Sequence, residues 1–523
     1  MVDTNGTTDG AVVRVCTGSA SLTPARAALT AARDEATSAS VVEVGPIGIG
    51  DLDPLVLVTA DATTAFHPNP SAEEVRELVR HVEDGDVSTD TAHAVVEHEP
   101  DPSLLPLPND GPLAVGKRRI LARAGWAVPD DTPGGADSET ELVTERVRND
   151  PDAAVERVRK VGLLGRGRGD GSTDEPVIEE WDRARDTHER TGDDPVLVVN
   201  ANESDVRNWT DRILFESVPA EVIDGALAVA ELVGAEDVIC YCNESDVLAR
   251  ERLQAAVDML SERLERSMRP QVIVGPDQYI AGEMTMALEA MEGNDRLEAR
   301  LRPPTPAQHG LYGRPTVIHT PRTLAQIREL LLRPEAFDAD DADPGTRLVT
   351  VSGDVAAPST VELSTSGSLS AIREVVTLAG PFKMACVGGQ FGGLTRTLEY
   401  PPSAPALLGA GLGTEGAVEL FSDSRCAVAT AGKRARFAED ENCGRCVPCR
   451  EGSVQLTTLL RNVYSGDYDD GALRELTRVM RTTSTCDFGR GAARPVTTAM
   501  DEFETEFYAH ADGRCPSGEC EEV

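Results

Sequence analysis

Four cysteines near the C-terminal end constrain this chain more than any other feature. Cys443, Cys446 and Cys449 fall within seven residues, and Cys486 follows after 36 intervening residues. Three thiolates on one tight turn and a fourth from a distant segment can surround one iron–sulfur cube, which four cysteines in Cys-x2-Cys-x2-Cys spacing typically hold. The spacing therefore predicts a [4Fe-4S] cluster with these four cysteines as its ligands.

Two other interpretations of the cysteine pattern stay open at this point, a zinc site and a set of free thiols. Zinc sites usually show two separated Cys-x2-Cys pairs or a mixture of cysteine and histidine. No histidine lies within the 100 residues that precede Cys443. The pattern favours the cluster over zinc, and either metal over free thiols.

The composition excludes several classes of function. The chain of 523 residues has 89 acidic and 50 basic residues, a formal net charge of −39. So large a negative charge repels nucleic acid and anionic membranes. It is more typical of a protein from a salt-rich cytosol than of an ordinary acidic protein. The sequence has no secretory signal and no apolar stretch long enough to span a membrane. We expect a cytoplasmic protein, either free or peripheral to a membrane complex.

The first 138 residues predict one small domain and a linker. Residues 11–84 alternate strand, helix, strand, a Gly-rich turn at 45–50, strand and helix, and the helix opens on the capping signal Ser71-Ala-Glu-Glu74. Residues 85–138 are rich in Pro, Asp and Gly, which is typical of a linker.

Residues 139–335 predict an α/β domain with a mainly parallel, doubly wound sheet. Glycines crowd the stretch 162–171, where the backbone could approach a phosphate. Strands at 195–199, 237–241 and 271–274 alternate with helices. Asn200-Ala-Asn-Glu-Ser204 follows the first of these strands, at the strand end where ligands of α/β sheets bind.

Several motifs in this region, in their order and spacing, resemble one known family. The motifs are Asn200-Ala-Asn-Glu-Ser204 with Asp211-Arg212, Tyr279-Ile-Ala-Gly-Glu283, and Gly310-Leu-Tyr-Gly-Arg-Pro-Thr-Val317 with Thr323-Leu-Ala325. They look like the NADH-binding, FMN-containing 51 kDa (F) subunit of respiratory complex I and its soluble relatives in NAD-linked hydrogenases. The resemblance covers residues 140–515, and the cysteine pattern stands where that family has its cluster ligands.

The resemblance implies a domain order along the chain. A Rossmann-like FMN/NADH-type domain at 139–335 is followed by a β-grasp (SLBB-like) domain at 344–430, a helical [4Fe-4S] domain at 431–512 and a tail at 513–523. Residues 11–84 resemble the thioredoxin-like [2Fe-2S] domain that precedes the flavin-binding region in some relatives. Of its cysteines only Cys16 remains, so we expect a degenerate domain without a cluster. Cys515 and Cys520 in the tail are interpreted as part of a frayed end, with a second metal site as the alternative.

The resemblance also implies cofactors and the residues that bind them. The cofactors are a [4Fe-4S] cluster, FMN and NAD(H), and no catalytic residue is identified. The positions carried over for flavin and nucleotide contact are Gly165, Arg166, Gly167, Asn200, Asn202, Glu203, Tyr279, Gly282 and Glu283. Glu203 and Glu283 could instead be solvated surface carboxylates.

The sequence departs from the family pattern around the flavin and nucleotide site. After the Gly-rich stretch the family has Phe-Pro-Thr-Gly-x-Lys-Trp, but residues 172–181 here lack the Phe and the Lys and carry four acidic residues. Met284 stands at a family Glu, and His319-Thr-Pro-Arg-Thr323 stands at Asn-Asn-Val-Glu-Thr, which supports the FMN phosphate. Carboxylates near a diphosphate disfavour a dinucleotide. Arg166, Arg168 and Arg207 are candidates to compensate by pairing with phosphate.

Three hypotheses of function follow. The first is an electron-transfer subunit of an NADH dehydrogenase-like enzyme, in which electrons pass from NAD(P)H through FMN and the cluster to a partner. The second is a non-catalytic relay or assembly subunit that keeps the cluster but has lost NADH binding. In the strongest form of this hypothesis, FMN binding is lost as well. The third is a structural protein with a zinc knuckle. The expected partners are iron–sulfur or quinone-reducing subunits of a larger oxidoreductase.

Overall fold

The computed structural model describes residues 10–131, 142–168, 174–203, 205–264 and 269–520. The described part has a mixed α/β fold of three sheets, one of them entirely parallel, and a helical C-terminal region. No helix in these ranges is both long and apolar enough to cross a membrane.

The N-terminal domain is a five-stranded sheet covered by two helices on one face. Its sheet order is β2-β1-β3-β4-β5, with β1 and β2 parallel and the other pairs antiparallel. The predicted Ser71 capping box is present, since Ser71 and Glu74 exchange hydrogen bonds at the start of α2. The elements are β1 (Val12–Cys16), α1 (Leu22–Glu35), β2 (Ser40–Val44), β3 (Leu55–Ala60), β4 (Thr63–Pro68), α2 (Ala72–Glu83) and β5 (Ala94–Glu97).

Two parts of the N-terminal prediction are wrong. The prediction lacks the strand β4, in which Thr63–Pro68 pairs along its whole length with β3. The predicted linker contributes β5 to the sheet, and its later part packs on other domains rather than running free. In this later part, the backbone amides of Arg119, Ile120 and Leu121 donate hydrogen bonds to the carboxylate of Glu362 in the third domain, at 2.8, 3.3 and 3.1 Å. Pro, Asp and Gly mark turns in this segment, but its buried apolar residues make it part of the packed structure.

The central domain has a parallel sheet in the order β8-β7-β6-β9, with helices around it. The helix α7 is buried on nearly every side, which its alanine-, valine- and leucine-rich sequence allows. The strand predicted at 195–199 is present as an interior strand of the sheet, and it extends through Asn200 to Ala201. The elements are α3 (Val143–Asn149), α4 (Pro151–Val161), α5 (Val177–Thr191), β6 (Val196–Ala201), α6 (Thr210–Ser217), α7 (Pro219–Val233), β7 (Asp237–Asn243), α8 (Val247–Arg263), β8 (Gln271–Gly275), α9 (Met284–Met291), β9 (Thr316–His319) and α10 (Pro321–Leu332).

The third domain is a five-stranded mixed sheet in the order β11-β10-β14-β12-β13. The two strands β10 and β14 run parallel, and the other pairs are antiparallel. A short 3-10 helix covers Leu369–Glu374. The elements are β10 (Thr346–Gly353), β11 (Ser359–Ser364), β12 (Phe382–Val387), β13 (Gly393–Thr395), α11 (Ala404–Gly409) and β14 (Ala417–Ser422).

The C-terminal region is helical, as predicted, and carries the four-cysteine pattern. Its last two helices are separated by Phe503. The tail is not a frayed end, because the main-chain amide of Cys426 donates to the Glu519 carboxylate at 2.6 Å and ties residues 513–520 to the bundle. The helices are α12 (Ala427–Glu441), α13 (Val447–Val463), α14 (Asp470–Thr483), α15 (Asp487–Gly491), α16 (Arg494–Glu502) and α17 (Glu504–Ala511).

We predict that Glu362→Ala lowers the free energy of unfolding by at least about 3 kcal/mol, because it leaves three buried backbone amides without an acceptor. The Thr346 hydroxyl, which donates to Glu362 at 2.6 Å, also loses its partner. The midpoint of thermal unfolding and hydrogen exchange at residues 119–121 measure the change. The matched control is Glu374→Ala at an exposed position; an equal effect of both substitutions would contradict the assignment.

Candidate functional site

Three of the four cysteines of the pattern lie at the starts of two helices. Cys446 directly precedes α13, Cys449 lies in its first turn, and Cys486 directly precedes α15. Cys443 lies in the loop that leads from α12 into Cys446. The positive end of a helix dipole favours negative charge at its N-terminus, so these positions suit thiolates.

A glycine allows the two cysteine-bearing segments to approach each other. A Cβ atom on Gly489 would lie 2.8 Å from Cβ of Cys449 and 2.7 Å from Cβ of Ser484, closer than real side chains come. Burial raises the pKa of Cys449, and the nearby thiols of Cys446, Cys486 and Cys443 raise it further. Cys449 and Cys486 are buried, whereas Cys443 and Cys446 are half-buried. One side of this four-thiol group thus faces the protein interior and the other faces the surface.

A cavity of about 410 Å³ lies between the central domain and the cysteine site. One wall is the carboxyl end of β9, at His319 and Thr320, together with the Gly-rich residues 165–167. The opposite wall includes Thr485 and Asp487, the two neighbours of Cys486. The cavity therefore connects the sheet edge where α/β domains bind ligands with one of the predicted cluster ligands.

His319 at the cavity wall is a neutral hydrogen-bond acceptor. Its Nε2 accepts from Nε1 of the fully buried Trp181 at 2.8 Å, so the ring proton lies on Nδ1, which faces the Glu180 carboxylate at 3.7 Å. Burial lowers the pKa of His319 to about 4. Burial also raises the pKa of Glu180 to about 7, against a hydrogen bond from the Ile318 amide.

Arg322 closes the base of the same region through a buried polar network. Its guanidinium donates to the backbone carbonyls of Arg166 and Gly167 at 2.9 and 3.1 Å and to the Glu203 carboxylate at 3.3 Å. Its backbone amide donates to the Asp211 carboxylate at 3.1 Å. Burial raises the pKa of Asp211, and the Arg322 charge opposes the rise. The described backbone of the Gly-rich stretch is thereby fixed against the starts of α6 and α10.

The predicted contact residues fall into two groups. Gly165, Arg166 and Gly167 line the cavity. The other six predicted contact positions form a buried strip next to it, in which the Asn200 side chain donates to the carbonyl of Gly282 at 2.8 Å. The members of the strip are Asn200, Asn202, Glu203, Tyr279, Gly282 and Glu283. Their neighbour Arg168 donates to the carbonyl of Asn202 at 2.9 Å.

Arg168 fills the space that faces Gly282. A Cβ atom on Gly282 would lie 1.0 Å from Nη1 of Arg168, so only glycine permits this packing. The guanidinium also lies 5.8 Å from the centre of the Tyr279 ring. A ligand that is to contact Gly282 must displace this side chain.

Glu203 and Glu283 are buried, so their interpretation as solvated surface carboxylates is wrong. Glu203 accepts from the backbone amides of Asp211 and Arg212, at the start of α6. Glu283 accepts from the amides of Thr285 and Met286 and caps α9. The amides at a helix start have no partner within the helix. Each carboxylate accepts hydrogen bonds from such amides and thereby stabilises the helix start.

Two of the three arginines expected to bind phosphate are committed elsewhere, which corrects that expectation. The Arg166 guanidinium lies 2.7 Å from the Asp343 carboxylate and is buried. Arg207 pairs with Asp205 at 3.1 Å and with Glu419 at 3.2 Å. Of the three, only Arg168 points into the predicted strip.

The acidic residues that replace the family's Phe and Lys are mostly paired. Asp174 lies 3.0 Å from Arg347, and Arg183 pairs with Glu179 at 2.8 Å and with Glu175 at 3.5 Å. Their repulsion of an anionic ligand is therefore weaker than the sequence suggests. Residues 169–173, which end the Gly-rich stretch and begin the replaced motif, lie outside the described residues, as does Ser204.

Four aromatic rings join three domains beside Cys486. Tyr279 belongs to the central domain, Phe391 to the third domain, and Phe437 and Phe488 to the helical domain. Their centroids lie 4.8–5.9 Å apart in edge-to-face pairs. Such pairs add about 0.5–1.5 kcal/mol each beyond burial. The cluster of rings fixes the strip and the cysteine site relative to each other.

Comparison with known proteins identifies the family. Residues 158–329 match the Nuo51 FMN-binding domain, and residues 429–510 match the NADH-ubiquinone oxidoreductase-F iron-sulfur binding region. One NADH-quinone oxidoreductase F subunit of Rhizobium meliloti, the second of two in that organism, is 33% identical over 393 residues, 70% of this chain and 90% of that protein. The chain belongs to the family of NADH-quinone oxidoreductase F subunits. The predicted resemblance is confirmed, and with it the assignment of an FMN-binding region and an iron–sulfur region.

A further F-subunit relative and a solved structure agree with this assignment. The NADH-quinone oxidoreductase F subunit of Mycobacterium bovis is 31% identical over 395 residues, 70% of this chain and 86% of that protein. The structure of an NAD+-reducing [NiFe]-hydrogenase in the H2-reduced state superimposes with a TM-score of 0.65 at 22% identity. The match covers 96% of this chain and 85% of that chain, so the fold likeness includes the N-terminal domain.

The described residues fit the cofactors that the F-subunit family implies. Four thiols, three of them at helix starts and two of them buried, are the donor set of a [4Fe-4S] cluster. The cavity has the size typical of small-molecule sites, about 300–1,000 Å³. Its wall includes the backbone of Gly167 and the guanidinium groups of Arg302 and Arg490, whereas the amide of Gly165 and the hydroxyl of Thr320 donate to the carbonyls of Glu175 and Arg166. Amide and guanidinium groups suit the phosphate and ring edges of a flavin mononucleotide.

Sequence reasoning missed three parts of this site. Trp181 and Arg322 stand in quoted motifs, but nothing in their spacing indicates that they pack on His319 and on the Gly-rich backbone. The ring cluster draws on residues from three domains and has no local pattern. Trp181 is one of three tryptophans in the chain, and a large ring inside an acidic stretch was the one available signal that this segment is buried.

We predict that stability depends on His319 between about pH 6.5 and 4. The pKa of histidine is about 6.5 in an unfolded chain and about 4 here, so unfolding takes up a proton in this window. The folded state therefore loses up to about 3 kcal/mol as the pH falls, and His319→Gln removes this loss because it has no titrating group. Denaturant unfolding at several pH values, followed by tryptophan fluorescence, measures the difference.

The control for the His319 prediction is His309→Gln at an exposed position. It should keep the wild-type slope of stability against pH. Identical slopes for the wild type and His319→Gln would mean that His319 is not held neutral by burial.

Proposed function

We propose that this chain passes electrons from a reduced nicotinamide donor, through a flavin in the cavity, to a [4Fe-4S] cluster on Cys443, Cys446, Cys449 and Cys486, and on to a partner protein. The observation that carries the proposal is the position of the cavity. It lies between the carboxyl end of the parallel sheet and the residues that flank Cys486. A flavin and a cluster held there would be neighbours, as electron transfer requires.

The residues of this chain would hold the two cofactors and set their surroundings. The backbone of Gly167 and the guanidinium groups of Arg302 and Arg490 would hold a flavin, which exchanges electron pairs with a nicotinamide and single electrons with a cluster. His319 stays neutral at neutral pH, because burial keeps its pKa low. Its Nδ1 proton lies at the cavity wall and faces the Glu180 carboxylate. Cys486 is buried, and its two neighbours Thr485 and Asp487 line the cavity.

The half-buried cysteines mark the exit for electrons. Cys443 and Cys446 lie at the surface, opposite the buried pair. The loop between them also exposes Arg445 and, just beyond it, Val447. We propose that a partner with a further iron–sulfur cluster or a quinone-reducing site binds over this loop, and that the chain works as a peripheral part of a larger complex.

The finer parts of the architecture stay proposals as well. We propose that residues 11–84 form a degenerate thioredoxin-like domain, extended by β5, which has lost its cluster. The strand order and the single remaining Cys16, which is buried, support this proposal. The parallel pair β10 and β14 supports a β-grasp assignment for 344–430. The net charge of −39 supports an origin in a salt-rich cytosol.

The second candidate function is a relay protein that keeps the cluster without accepting electrons from NADH. The observation that favours it is Arg168, whose guanidinium fills the space beside Gly282. In this version the strip is a packed structural element, and the cluster exchanges electrons between partner proteins. The two candidates differ in whether NADH reduces the isolated chain.

We predict that NADH bleaches the flavin absorption of the anaerobically purified chain in high salt and reduces its cluster. In Cys486→Ser, which removes one cluster ligand, the flavin should still bleach while the electron paramagnetic resonance signal of the reduced cluster disappears. Cys240→Ala, at a buried cysteine of the central sheet, is the control and should keep both responses. A wild-type cluster without flavin, or without any response to NADH, would support the relay function instead.

We predict further that Arg168→Gly raises the affinity for FMN about tenfold or more. The substitution opens the buried space beside Gly282 and removes the need to displace a guanidinium before a ring can contact the strip. Quenching of FMN fluorescence on titration with flavin-depleted protein measures the dissociation constant. Arg190→Ala removes the same charge at an exposed position on α5 and should leave the affinity unchanged. A weaker affinity of Arg168→Gly would mean that this arginine contributes to flavin binding, and an unchanged affinity would mean that it does not obstruct the flavin.

A further inference from the structure

A second group of metal-ligand side chains lies at the opposite end of the helical domain from the predicted iron–sulfur cluster. The donor atoms of Cys426, His510, Cys515 and Cys520 all lie within 4.8 Å of one another. Sγ of Cys426 and Nε2 of His510 are 3.3 Å apart. Cys426 and His510 are buried, and the other two are half-buried. We infer that these four residues bind one zinc ion in a closed, structural site.

The spacing of the donors fits a single tetrahedral ion. Zinc lies about 2.3 Å from sulfur and about 2.0–2.1 Å from imidazole nitrogen, which places tetrahedral ligand atoms less than about 4 Å apart. A cluster with several irons would hold its cysteines farther apart than the donors lie here. Three cysteines and one histidine, with no open position, are a ligand set of structural zinc.

The surroundings of the histidine prepare it to bind a metal. Nδ1 of His510 lies 2.6 Å from the backbone carbonyl of Glu506, and only the histidine can donate in this pair. The proton is therefore on Nδ1, and the lone pair of Nε2 points towards Cys426. Zinc-binding histidines are typically fixed in this way by a hydrogen bond from their other ring nitrogen.

The surroundings of the cysteines stabilise thiolates. Cys426 caps α12, and its Sγ accepts a hydrogen bond from the amide of Ala429 at 3.3 Å. The positive end of the helix dipole favours a thiolate at this position. The Tyr464 hydroxyl lies 3.6 Å from Sγ of Cys520. Zinc binding would displace the thiol protons, so the affinity depends on such support.

The turn 515–520 is held to the helices by contacts next to the ligands. The Glu519 carboxylate accepts from the amide of Cys426 at 2.6 Å and lies 2.8 Å from Nζ of Lys433. Gly518 has a φ of +75°, a conformation that lets the turn reverse between the two cysteines. These contacts place both tail cysteines over the start of α12 and the end of α17.

The proposed zinc site is separate from the iron–sulfur site in space and in family. The helix α12 has 15 residues, about 22 Å at 1.5 Å per residue, and it runs from Cys426 to the loop of Cys443. Three of the four donors lie outside the matched iron-sulfur binding region 429–510, and His510 is its last residue. The site would anchor one end of α12, whose other end leads into the cluster loop.

Metal analysis of the full chain tests the inference. Inductively coupled plasma mass spectrometry of protein purified from zinc-supplemented medium should find one zinc per chain besides the iron of the cluster. The double variant Cys515→Ser/Cys520→Ser should lose zinc at least tenfold and keep its iron, whereas Cys443→Ser should lose iron and keep its zinc. Arg514→Ala, at an exposed position next to Cys515, is the control and should keep both metals.

X-ray absorption at the zinc edge of the wild type tests the ligand set without any variant that could misfold. The first shell should consist of three sulfurs and one nitrogen. Four outcomes would overturn the inference: wild-type protein without zinc, zinc retained in the double variant, iron in place of zinc at the site, or a disulfide between Cys515 and Cys520 in freshly purified protein. Loss of flavin or of NADH oxidation in any of these samples leaves the zinc measurement unaffected.

Discussion

The packing of four aromatic rings beside Cys486 is the interaction on which the site depends. Tyr279, Phe391, Phe437 and Phe488 come from three domains, and their edge-to-face contacts lie at the point where these domains meet. Tyr279, Phe391 and Phe488 are buried and Phe437 is half-buried, and Phe→Ala in a core typically costs about 3–5 kcal/mol. A shift of any one domain would expose rings of the other two. The distance between the cavity and Cys486 is therefore set by apolar packing, while the polar residues act on ligands.

Buried carboxylates are the second device that recurs in this acidic chain. Glu203, Glu283 and Glu362 each accept hydrogen bonds from two or more backbone amides, and Asp224 does the same for Val143 and Thr144. A carboxylate that binds amides directly satisfies donors that would be costly to bury alone. The excess of acidic residues thus has two uses, a charged surface and internal anchors between segments distant in sequence. The sequence distinguishes these uses poorly, because both are the same residue type.

The family and its FMN-binding and iron–sulfur regions could be predicted because each has a local signal. The spacing of Cys443, Cys446 and Cys449 is short, and the strand before Asn200 is a continuous apolar run. The strands β4 and β5 could not be predicted as securely, because Thr63–Pro68 mixes polar and apolar residues and Ala94–Glu97 lies among turn residues. The commitment of Arg166 to Asp343 joins two residues that are far apart in the sequence. Contacts of this kind depend on the tertiary fold and leave no periodic pattern in the sequence.

The two cysteine sites divide the C-terminal domain into parts with different physical demands. A cluster that transfers electrons needs one side near a donor and another near the surface. The buried Cys449 and Cys486 provide the first side, and the half-buried Cys443 and Cys446 provide the second. A closed site at the opposite end of α12 has no such need, because its donors converge within 4.8 Å and leave no open position. The cluster loop begins where α12 ends, so its position depends on how firmly that helix is held. A rigid anchor at Cys426 would therefore restrict the movement of Cys443 without taking part in electron transfer.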